Sequence, residues 1–401
     1  MFKIMVIGVP CSGLTGEQEK LLADCGVICG AERLLALVNR FKRPPIAISP
    51  LGKSLPAIRR ALASTDVAVL VGGDPLFFGI ARRLLAEFGP DQLEIYPALS
   101  SMQEAFARFR LPWDDAGLLS LHGRNHPHVP GLLLSRAKNF VFTDSRYSPA
   151  ELAGELIAYL ELIEDQRLLA DCRVMVAENI GRENENVFSG TLAEAAGQIF
   201  SDLNVFCLLT PGSDSRERLG LTERELAHSR GLITKDEVRA VTLHRLRLPN
   251  VGVMWDVGAG SGSVSLEAAR LNPGLTIYAV EQKPEELINI KTNIRKHHCY
   301  NIVPVAGRAK NLLADLPDPQ RVFIGGHSGE LAEIIGMAAE RLAVDGRLVL
   351  NGVVRKTIQA APQLMAQYGL KVEMSTVEVK RNQPDMAEIF FNPITIITGR
   401  K

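Results

Sequence analysis

Short hydrophobic runs alternate with amphipathic, helix-like stretches along almost the whole chain. This alternation is typical of α/β proteins whose sheets are mostly parallel. The pattern stops over residues 210–232, which are polar and contain no strand-like run. It therefore predicts two α/β domains, residues 1–210 and 230–401, joined by a linker over 211–229 that holds a short helix capped by Thr222 and Glu225.

The two halves differ in how regularly the strand-like runs recur. In the first half they fall at 3–9, 67–73, 118–123, 139–144, 173–179 and 204–209. In the second half they fall at 251–257, 275–281, 301–305, 321–326, 346–352, 371–380 and 388–398. No helix separates the last two runs, so a terminal hairpin is expected. The second half is thus predicted to form a seven-stranded, Rossmann-like sheet with one antiparallel strand.

Composition narrows the class of protein. The 401 residues are enough for two or three domains, and 45 basic residues balance 45 acidic ones. This balance gives no reason to expect a nucleic acid or an anionic membrane as partner. The apolar run at the N-terminus is too short for a signal peptide, and no stretch approaches the roughly 20 apolar residues of a membrane span. The six cysteines are scattered, which predicts a cytoplasmic protein with free thiols and no metal site.

Two glycine-rich turns carry the candidate chemistry, "VGGDPLFFG" at 71–79 and "WDVGAGSGSV" at 255–264. Such turns let a nucleotide-like ligand approach the backbone closely. In the second, Ser263 stands where a dinucleotide fingerprint has its last small residue. Glu281, at the end of the next predicted strand, is suitably placed to accept ribose hydroxyls. From these residues alone, an NAD-dependent oxidoreductase and a purely structural turn both remain open.

The second half, over residues 231–401, resembles the S-adenosylmethionine-dependent methyltransferases with a Rossmann-like core. The segments "GLITKDEVRAVTLHRLRL", "FIGGHSGELAEII", "GRLVLNGV" and "FFNPITIITG" narrow the resemblance to the decarboxylating precorrin methyltransferases of cobalamin biosynthesis. In the turn after the third strand, Arg308 replaces the acid that this family usually carries. The resemblance implies S-adenosylmethionine contacts at Thr234, Gly258, Ala259, Gly260, Ser261, Gly262, Glu281 and Ala309.

The first half, over roughly residues 2–210, resembles the tetrapyrrole methylases, in particular the branch that methylates carbon 5 of a late corrin precursor. The resemblance is carried by "VLVGGDPLFFGIARRLL" and "VAENIGRENENVFSGTLAEAA". It implies a fold of two α/β subdomains and a second S-adenosylmethionine site. The first turn of the family is shortened here to residues 8–11, while Asp74 is also a catalytic candidate. The implied cofactor contacts are Gly72, Gly73, Asp74, Pro75, Ser100 and Ser101.

The order of the halves resembles fused bifunctional enzymes of that pathway. It implies methylation of a tetrapyrrole at carbons 5 and 15, decarboxylation of its ring-C acetate, two S-adenosylmethionine sites per chain and a homo-oligomer. Methyl transfer chiefly needs two positioned reactants and excluded water, whereas decarboxylation also needs a proton for the carbon left behind. A tetrapyrrole carrier with a decayed first site is the non-enzymatic alternative. Metal-free and cobalt-loaded macrocycles both remain open as substrate.

A polycarboxylate substrate calls for cationic side chains. The candidates within "HGRNHPH" are His122, Arg124, His126 and His128, with metal binding by the three histidines and a solvated loop as alternatives. Lys380 and Arg381 are the candidates in the second half. His327 and Asn351 are catalytic or ligand-contact candidates, against a solvent-exposed histidine and a turn-capping asparagine. Two helix-capping boxes are also predicted, Thr234 with Glu237 and Ser101 with Glu104.

Overall fold

The computed structural model describes residues 2–121, 125–211, 219–229, 233–382 and 388–401. The chain divides into two compact units. The first comprises residues 1–124, 138–153 and 173–209, and the second comprises 125–137, 154–172 and 210–401. Two internal segments of the first half of the sequence therefore group with the second unit, a division that a single linker near residue 210 does not anticipate.

The first unit contains two five-stranded sheets. One of them is entirely parallel, in the order β3-β2-β4-β1-β5. Its strands are β1 (Ile4–Val9), β2 (Val27–Gly30), β3 (Pro45–Ala47), β4 (Val67–Gly72) and β5 (Leu93–Tyr96). The first five helices of the chain are α1 (Gly16–Asp24), α2 (Glu32–Leu35), α3 (Leu51–Ala61), α4 (Ala81–Phe88) and α5 (Ser101–Phe109).

The other sheet of the first unit is mixed, in the order β6-β7-β10-β8-β9, and only its β6–β7 pair is parallel. Its strands are β6 (Gly117–Ser120), β7 (Lys138–Phe142), β8 (Arg173–Glu178), β9 (Asn186–Gly190) and β10 (Asn204–Leu209). The expectation of mostly parallel sheets is wrong for this one. Residues 179–185 are too short a connection for the crossover that a parallel β8–β9 pair would require.

The remaining helices of the first half are α6 (Val129–Leu133), α7 (Pro149–Leu162), α8 (Gln166–Asp171) and α9 (Leu192–Ala196). Four strands of the first unit, β2, β3, β5 and β9, have no counterpart among the sequence-predicted strands. β3 has only three residues, and most of the β9 side chains are exposed. Neither strand therefore produces the apolar alternation on which strand prediction depends.

The second unit contains the predicted seven-stranded sheet, in the order β13-β12-β11-β14-β15-β19-β16. β19 lies antiparallel between β15 and β16, which confirms one antiparallel strand in an otherwise parallel sheet. A two-residue ladder, β17 with β18, interrupts the predicted terminal hairpin. The strands are β11 (Val251–Val257), β12 (Gly274–Glu281), β13 (Ile302–Ala306), β14 (Arg321–Ile324), β15 (Arg347–Gly352), β16 (Lys371–Val377), β17 (Lys380–Arg381), β18 (Ile389–Phe390) and β19 (Ile394–Arg400).

In the described part of residues 233–401, six helices accompany this sheet, and apolar side chains fill the core between them. Trp255, Ile324 and Ile335 are fully or almost fully buried in it, and the Trp255 indole donates a 3.0 Å hydrogen bond to the Pro317 carbonyl. No helix in the described part of the chain has the length and apolar character needed to cross a membrane. The helices are α10 (Asp236–Leu246), α11 (Ser263–Leu271), α12 (Pro284–His297), α13 (Ala309–Leu312), α14 (Leu331–Arg341) and α15 (Arg355–Gln367).

Helix starts differ in detail from the predicted capping boxes. α5 is capped by Ser100 together with Gln103, one residue earlier than predicted, so Ser101 is its first residue. α10 begins after Lys235 without a side-chain cap, because Glu237 pairs with Arg381 instead of reaching back to Thr234. The box of Thr222 with Glu225 is present, on a single 3₁₀ turn over Glu223–Glu225.

A buried polar cluster joins the internal segments 125–137 and 154–172 to the sheet of the second unit. The Tyr159 hydroxyl donates to the Ile302 carbonyl at 2.7 Å. His128 Nε2 lies 3.0 Å from the Tyr300 carbonyl oxygen, so this nitrogen carries a proton that it donates. The rings of His128 and Tyr159 meet edge to face with 4.4 Å between centroids. Burial lowers the pKa of His128 to about 4, which keeps this imidazole neutral.

We expect His128 to make the stability of the second unit sensitive to acid. An unfolded histidine titrates near its ordinary pKa of 6.5, whereas the folded one titrates near 4, so acidification from pH 6.5 to pH 4 favours unfolding. His128→Gln keeps a donor for the Tyr300 carbonyl and removes this titration. Between pH 7 and pH 5, the free energy of unfolding of the wild type should therefore fall by about 2 kcal/mol more than that of the variant.

Urea unfolding of the full chain at both pH values measures this difference. His244→Gln, at an exposed position, is the control. An equal loss of stability in wild type and His128→Gln on acidification would contradict the buried, neutral state of His128.

Candidate active sites

The first glycine turn of the first unit packs backbone against backbone. A Cβ built on Gly8 would lie 2.2 Å from the Gly73 carbonyl oxygen and 2.8 Å from the Ala98 nitrogen, so no side chain fits. The Gly73 N–H donates to the Val9 carbonyl at 2.8 Å, and the Gln18 amide donates to the Gly8 carbonyl at 2.6 Å. The shortened turn after β1 is thus held firmly against the turn after β4.

The structure brings the other predicted residues of the first site to the same place. Gly73 has φ +71, and its Cβ position lies 3.0 Å from the Ser100 Cα. Asp74 Oδ1 accepts the Leu76 N–H at 2.8 Å, so this carboxylate shapes its own turn. Gly72, Gly73, Asp74, Pro75, Ser100 and Ser101 therefore line one edge of the parallel sheet, where α/β proteins bind their ligands.

In the second unit, a cavity of about 270 Å³ opens at the carboxyl ends of β11, β12 and β14. Its floor is the glycine loop, and acidic, cationic and apolar side chains form its walls. Sequence reasoning had selected four of the lining residues in the cofactor set and His327 as a catalytic candidate. The lining residues are Gly258, Gly260, Val280, Glu281, Gln282, Lys283, Glu286, Gly307, Arg308, Ala309, Gly325, Gly326, His327, Ser328, Glu330 and Ile334.

A different physical constraint requires glycine at each of three positions in the loop. A Cβ on Gly258 would lie 2.4 Å from the Gly326 carbonyl oxygen, because the turns after β11 and β14 touch there. Gly260 has φ +55 but open space where its Cβ would lie, and it faces the cavity. Gly262 has φ +77 and immediately precedes α11. All three adopt the left-handed region, which a side chain disfavours.

Glu281 organises the loop from the end of β12. Its Oε2 accepts the Gly260 N–H at 2.8 Å, and its Oε1 accepts the N–H groups of Gln282 and Lys283 at 2.8 and 2.9 Å. A carboxylate offers roughly four acceptor positions, so one remains for a ligand hydroxyl. Ser261 is almost fully buried, and its carbonyl accepts the Asn293 amide at 2.9 Å.

His327 is held in one tautomer at the wall of the cavity. Its Nδ1 accepts the Gly329 N–H at 3.3 Å, so the ring proton lies on Nε2, which donates to the Thr357 hydroxyl at 3.1 Å. Burial lowers the pKa of His327 below its ordinary value of 6.5. Nothing in the sequence singled out Thr357, which is a buried residue of α15.

The two cations that the sequence predicts as substrate contacts of the second half, Lys380 and Arg381, form ion pairs within the chain. Arg381 donates to both oxygens of Glu237 at 2.8 Å and lies 2.9 Å from Glu223, and these carboxylates raise its pKa. Lys380 pairs with Glu388 at 2.7 Å. Both cations are therefore neutralised by acids of the chain itself. His122 and Arg124 lie outside the described residues.

Three further candidates occupy distinct positions. The Asn351 amide exchanges hydrogen bonds with the Thr242 hydroxyl of α10, at 3.0 and 3.2 Å, and so ties β15 to that helix. Thr234 is not among the described residues that line the cavity, and its carbonyl accepts from Arg239. Arg308 lines the cavity, and its guanidinium lies 3.4 Å from the Glu330 carboxylate. The position at which the resembling family usually has an acid therefore carries a cation that is paired with Glu330.

The donor set of this cavity fits S-adenosylmethionine. The open space beside Gly260 allows close approach to the loop, while Glu281 retains an acceptor position for a ribose hydroxyl. Val280, Ala309 and Ile334 supply an apolar wall that suits an adenine ring. In the first unit, the glycine turn after β4 and the start of α5 offer a second backbone cradle.

Two family models match the chain. Residues 3–196 match the model described as "Tetrapyrrole (Corrin/Porphyrin) Methylases". Residues 225–398 match the "Precorrin methyltransferase domain". Each match covers one of the glycine turns described above. Proteins of these classes are methyltransferases that use S-adenosylmethionine, and a structural neighbour, the Thermus thermophilus uroporphyrin-III C-methyltransferase, is complexed with the demethylated cofactor.

Named relatives extend this likeness over most of the chain. A probable cobalt-precorrin-6B C(15)-methyltransferase (decarboxylating) from Pyrobaculum calidifontis is 39% identical over 42% of this chain and 88% of its own length. The crystal structure of a precorrin-6Y C5,15-methyltransferase from Geobacter metallireducens is 43% identical, covers 46% of this chain and 98% of its own, and has a TM-score of 0.45. A precorrin-6Y C(5,15)-methyltransferase (decarboxylating) from Sinorhizobium is 31% identical over 87% of this chain and 84% of its own length. The chain belongs to the family of decarboxylating precorrin-6Y C(5,15)-methyltransferases.

Proposed function

We propose that this protein methylates a late precorrin macrocycle at carbons 5 and 15 and decarboxylates its ring-C acetate, using one S-adenosylmethionine site in each unit. The observation that carries the proposal is the presence of two glycine turns on two different sheets. The turn after β4 belongs to a parallel five-stranded sheet, and the turn after β11 belongs to the seven-stranded one. The names of the relatives supply the substrate and the two positions.

Methyl transfer requires little chemistry from the protein. Bound S-adenosylmethionine supplies an electrophilic methyl group on a sulfonium. In the second unit, the Gly258–Gly262 loop and Glu281 hold the nucleotide end of the ligand, and the buried wall around Ile334 excludes water. Positioning of this kind is worth several kcal/mol of barrier, of the order of 7–11 kcal/mol in favourable intramolecular cases.

Decarboxylation requires a proton for the carbon that loses carbon dioxide. The conjugated macrocycle can accept the electron pair released with carbon dioxide, and the pair then takes up a proton at the former acetate carbon. His327 in its protonated, imidazolium form is the proposed donor, because the residue lines the cavity and Thr357 holds the ring in one orientation. We assign decarboxylation and carbon-15 methylation to the second unit, and carbon-5 methylation to the first.

Incubation of the full chain with S-adenosylmethionine and late precorrins tests the proposal directly. Metal-free and cobalt-loaded substrates should be offered in parallel, and the product masses measured. The expected product has gained two methyl groups and lost one carbon dioxide. A product with a single methyl group at saturating cofactor, or no loss of carbon dioxide, would contradict the bifunctional assignment.

We expect Gly260→Val and Gly258→Ala to fail in different ways. The side chain at 260 would enter open space beside the ligand, at a left-handed backbone that costs a non-glycine residue about 1–2 kcal/mol. The Cβ at 258 would push against the Gly326 backbone and separate two strands. Gly260→Val should therefore abolish cofactor binding in the second unit with modest destabilisation, whereas Gly258→Ala should strongly reduce both binding and stability.

Calorimetry with S-adenosylhomocysteine and thermal unfolding distinguish the two variants. The stoichiometry should be near two for the wild type and near one for Gly260→Val. A stoichiometry of one for the wild type, or equal loss of both methylations in Gly260→Val, would contradict two separate sites.

We expect His327→Gln to slow decarboxylation by about a hundredfold and to leave cofactor affinity unchanged, since general acids typically contribute this much. Because its pKa lies below 6.5, the protonated fraction of His327 rises as the pH falls from 8 toward 6. The wild-type decarboxylation rate should rise over this range, and the variant rate should stay flat.

Thr357 supplies a matched pair of variants for the same reaction. Thr357→Val removes the hydroxyl that orients His327, and Thr357→Ser retains it. Only the valine variant should alter the pH profile of decarboxylation. Identical pH profiles in wild type and His327→Gln would exclude His327 as the proton donor.

A further inference from the structure

The segment 353–356, called the turn below, comprises the two residues between β15 and α15 and the first two residues of that helix, and it has an unusual surface. Val353 and Val354 are 57% and 63% exposed, so two neighbouring aliphatic side chains face solvent here. Arg355 and Lys356 follow them and are also exposed. Neither cation forms an ion pair with a carboxylate in the described part of the chain. The turn thus combines an apolar face with two uncompensated positive charges.

This turn follows the strand next to β14, whose carboxyl end borders the cofactor cavity. β15 pairs with β14 in parallel, with Leu350 opposite Ile324, so Gly352 is level with Gly326 of the cavity floor. Neighbouring strands are about 4.8 Å apart, which places the first residues of the turn next to that floor. Thr357 follows the turn directly and is hydrogen-bonded to His327 of the cavity wall.

The charges around the cavity are divided between two regions. Glu281 and Glu286 lie along the cofactor side, and Glu330 is already paired with Lys310 at 2.8 Å. The cations of the β17–β18 ladder are likewise paired with acids, as described above for Lys380 and Arg381. Among the described residues, three cations here have no carboxylate partner. Lys283 lies with Glu281 and Glu286 on the cofactor side, whereas Arg355 and Lys356 follow β15 on the other side.

We propose that the turn Val353–Lys356 is the surface on which the second unit binds a flat, conjugated macrocycle that carries carboxylate side chains. The two valines contact the apolar ring face, and Arg355 and Lys356 pair with carboxylates on its rim. The inference rests on the proposed function, because a macrocycle must lie beside the methyl donor to react. In this proposal Arg355 and Lys356 bind the substrate carboxylates, in place of the sequence-predicted pair Lys380 and Arg381.

The steps of binding follow from these contacts. A ring that lies against the valines has its edge toward His327. This histidine is hydrogen-bonded to Thr357 in the first turn of α15. Carboxylates on the rim remain near the surface, where the two cations can reach them without being buried. The turn then selects anionic macrocycles over neutral ones and sets the orientation of the ring toward the methyl donor.

The test uses the full-length enzyme and the double variant Arg355→Gln/Lys356→Gln. The control is Lys371→Gln, because Lys371 is an exposed cation at the first residue of β16, level with the first residue of β15 and so at the opposite end of the strands from the turn. The KM for the precorrin is measured from the rate of carbon dioxide release, which reports on the second unit alone. The dissociation constant of S-adenosylhomocysteine is measured in parallel to verify the fold of the cavity.

The double variant should raise the KM by about tenfold or more, since hydrogen bonds to charged groups contribute on that scale. Its affinity for S-adenosylhomocysteine should stay at the wild-type value. The wild-type KM should rise with ionic strength, and this rise should be smaller in the double variant. A second variant, Val353→Ser/Val354→Ser, should raise the KM without changing its salt dependence.

An unchanged KM in the double variant, or an equal rise in Lys371→Gln, would overturn the inference. A KM and a cofactor affinity that deteriorate together would also overturn it, because they would indicate a disturbed cavity and not a substrate contact. Failure of the proposed function has a different signature, since the wild-type enzyme would then release no carbon dioxide from any precorrin offered.

Discussion

The backbone contact between Gly258 and Gly326 is the constraint on which the second site depends. A single additional carbon on Gly258 would lie 2.4 Å from a carbonyl oxygen, so the turns after β11 and β14 can meet only without side chains. That contact closes the floor of the cavity. It also fixes His327, which follows Gly326 directly, at the cavity wall. The glycine loop therefore shapes the site from both sides, through its own N–H groups and through the neighbouring strand.

The first unit uses the same physical device on an unrelated sheet. Gly8 and Gly73 approach each other so closely that a Cβ on Gly8 would lie 2.2 Å from a carbonyl oxygen. The turn after β1 is short, yet its Gly8 occupies the position where the two turns touch. The close approach therefore survives the shortening, which weakens the idea that this site has decayed into a binding surface.

Sequence reasoning located the glycine turns, Glu281 and the seven-stranded sheet, because each depends on local signals such as strand periodicity and turn residues. It failed where the outcome depends on partners distant in the chain. Glu237 has the spacing of a capping residue but pairs with Arg381, which lies 144 residues away. Residues 125–137 and 154–172 group with the second unit through contacts such as Tyr159 with Ile302, and no local pattern encodes that choice.

Charge pairing explains why cations are difficult to assign from sequence. In the sequence, Lys380 and Arg381 stand at the end of the strand-like run 371–380, and Arg355 and Lys356 follow the run 346–352 by a few residues. The structure separates the two pairs by their acids: the first pair is matched with Glu388, Glu237 and Glu223, whereas the second has no described carboxylate partner. A cation already bonded to an acid must break that bond before it can bind a substrate carboxylate, which costs much of what the new bond would contribute. Unmatched cations beside an apolar surface bear no such cost, and for that reason they are the better candidates for binding an anionic macrocycle.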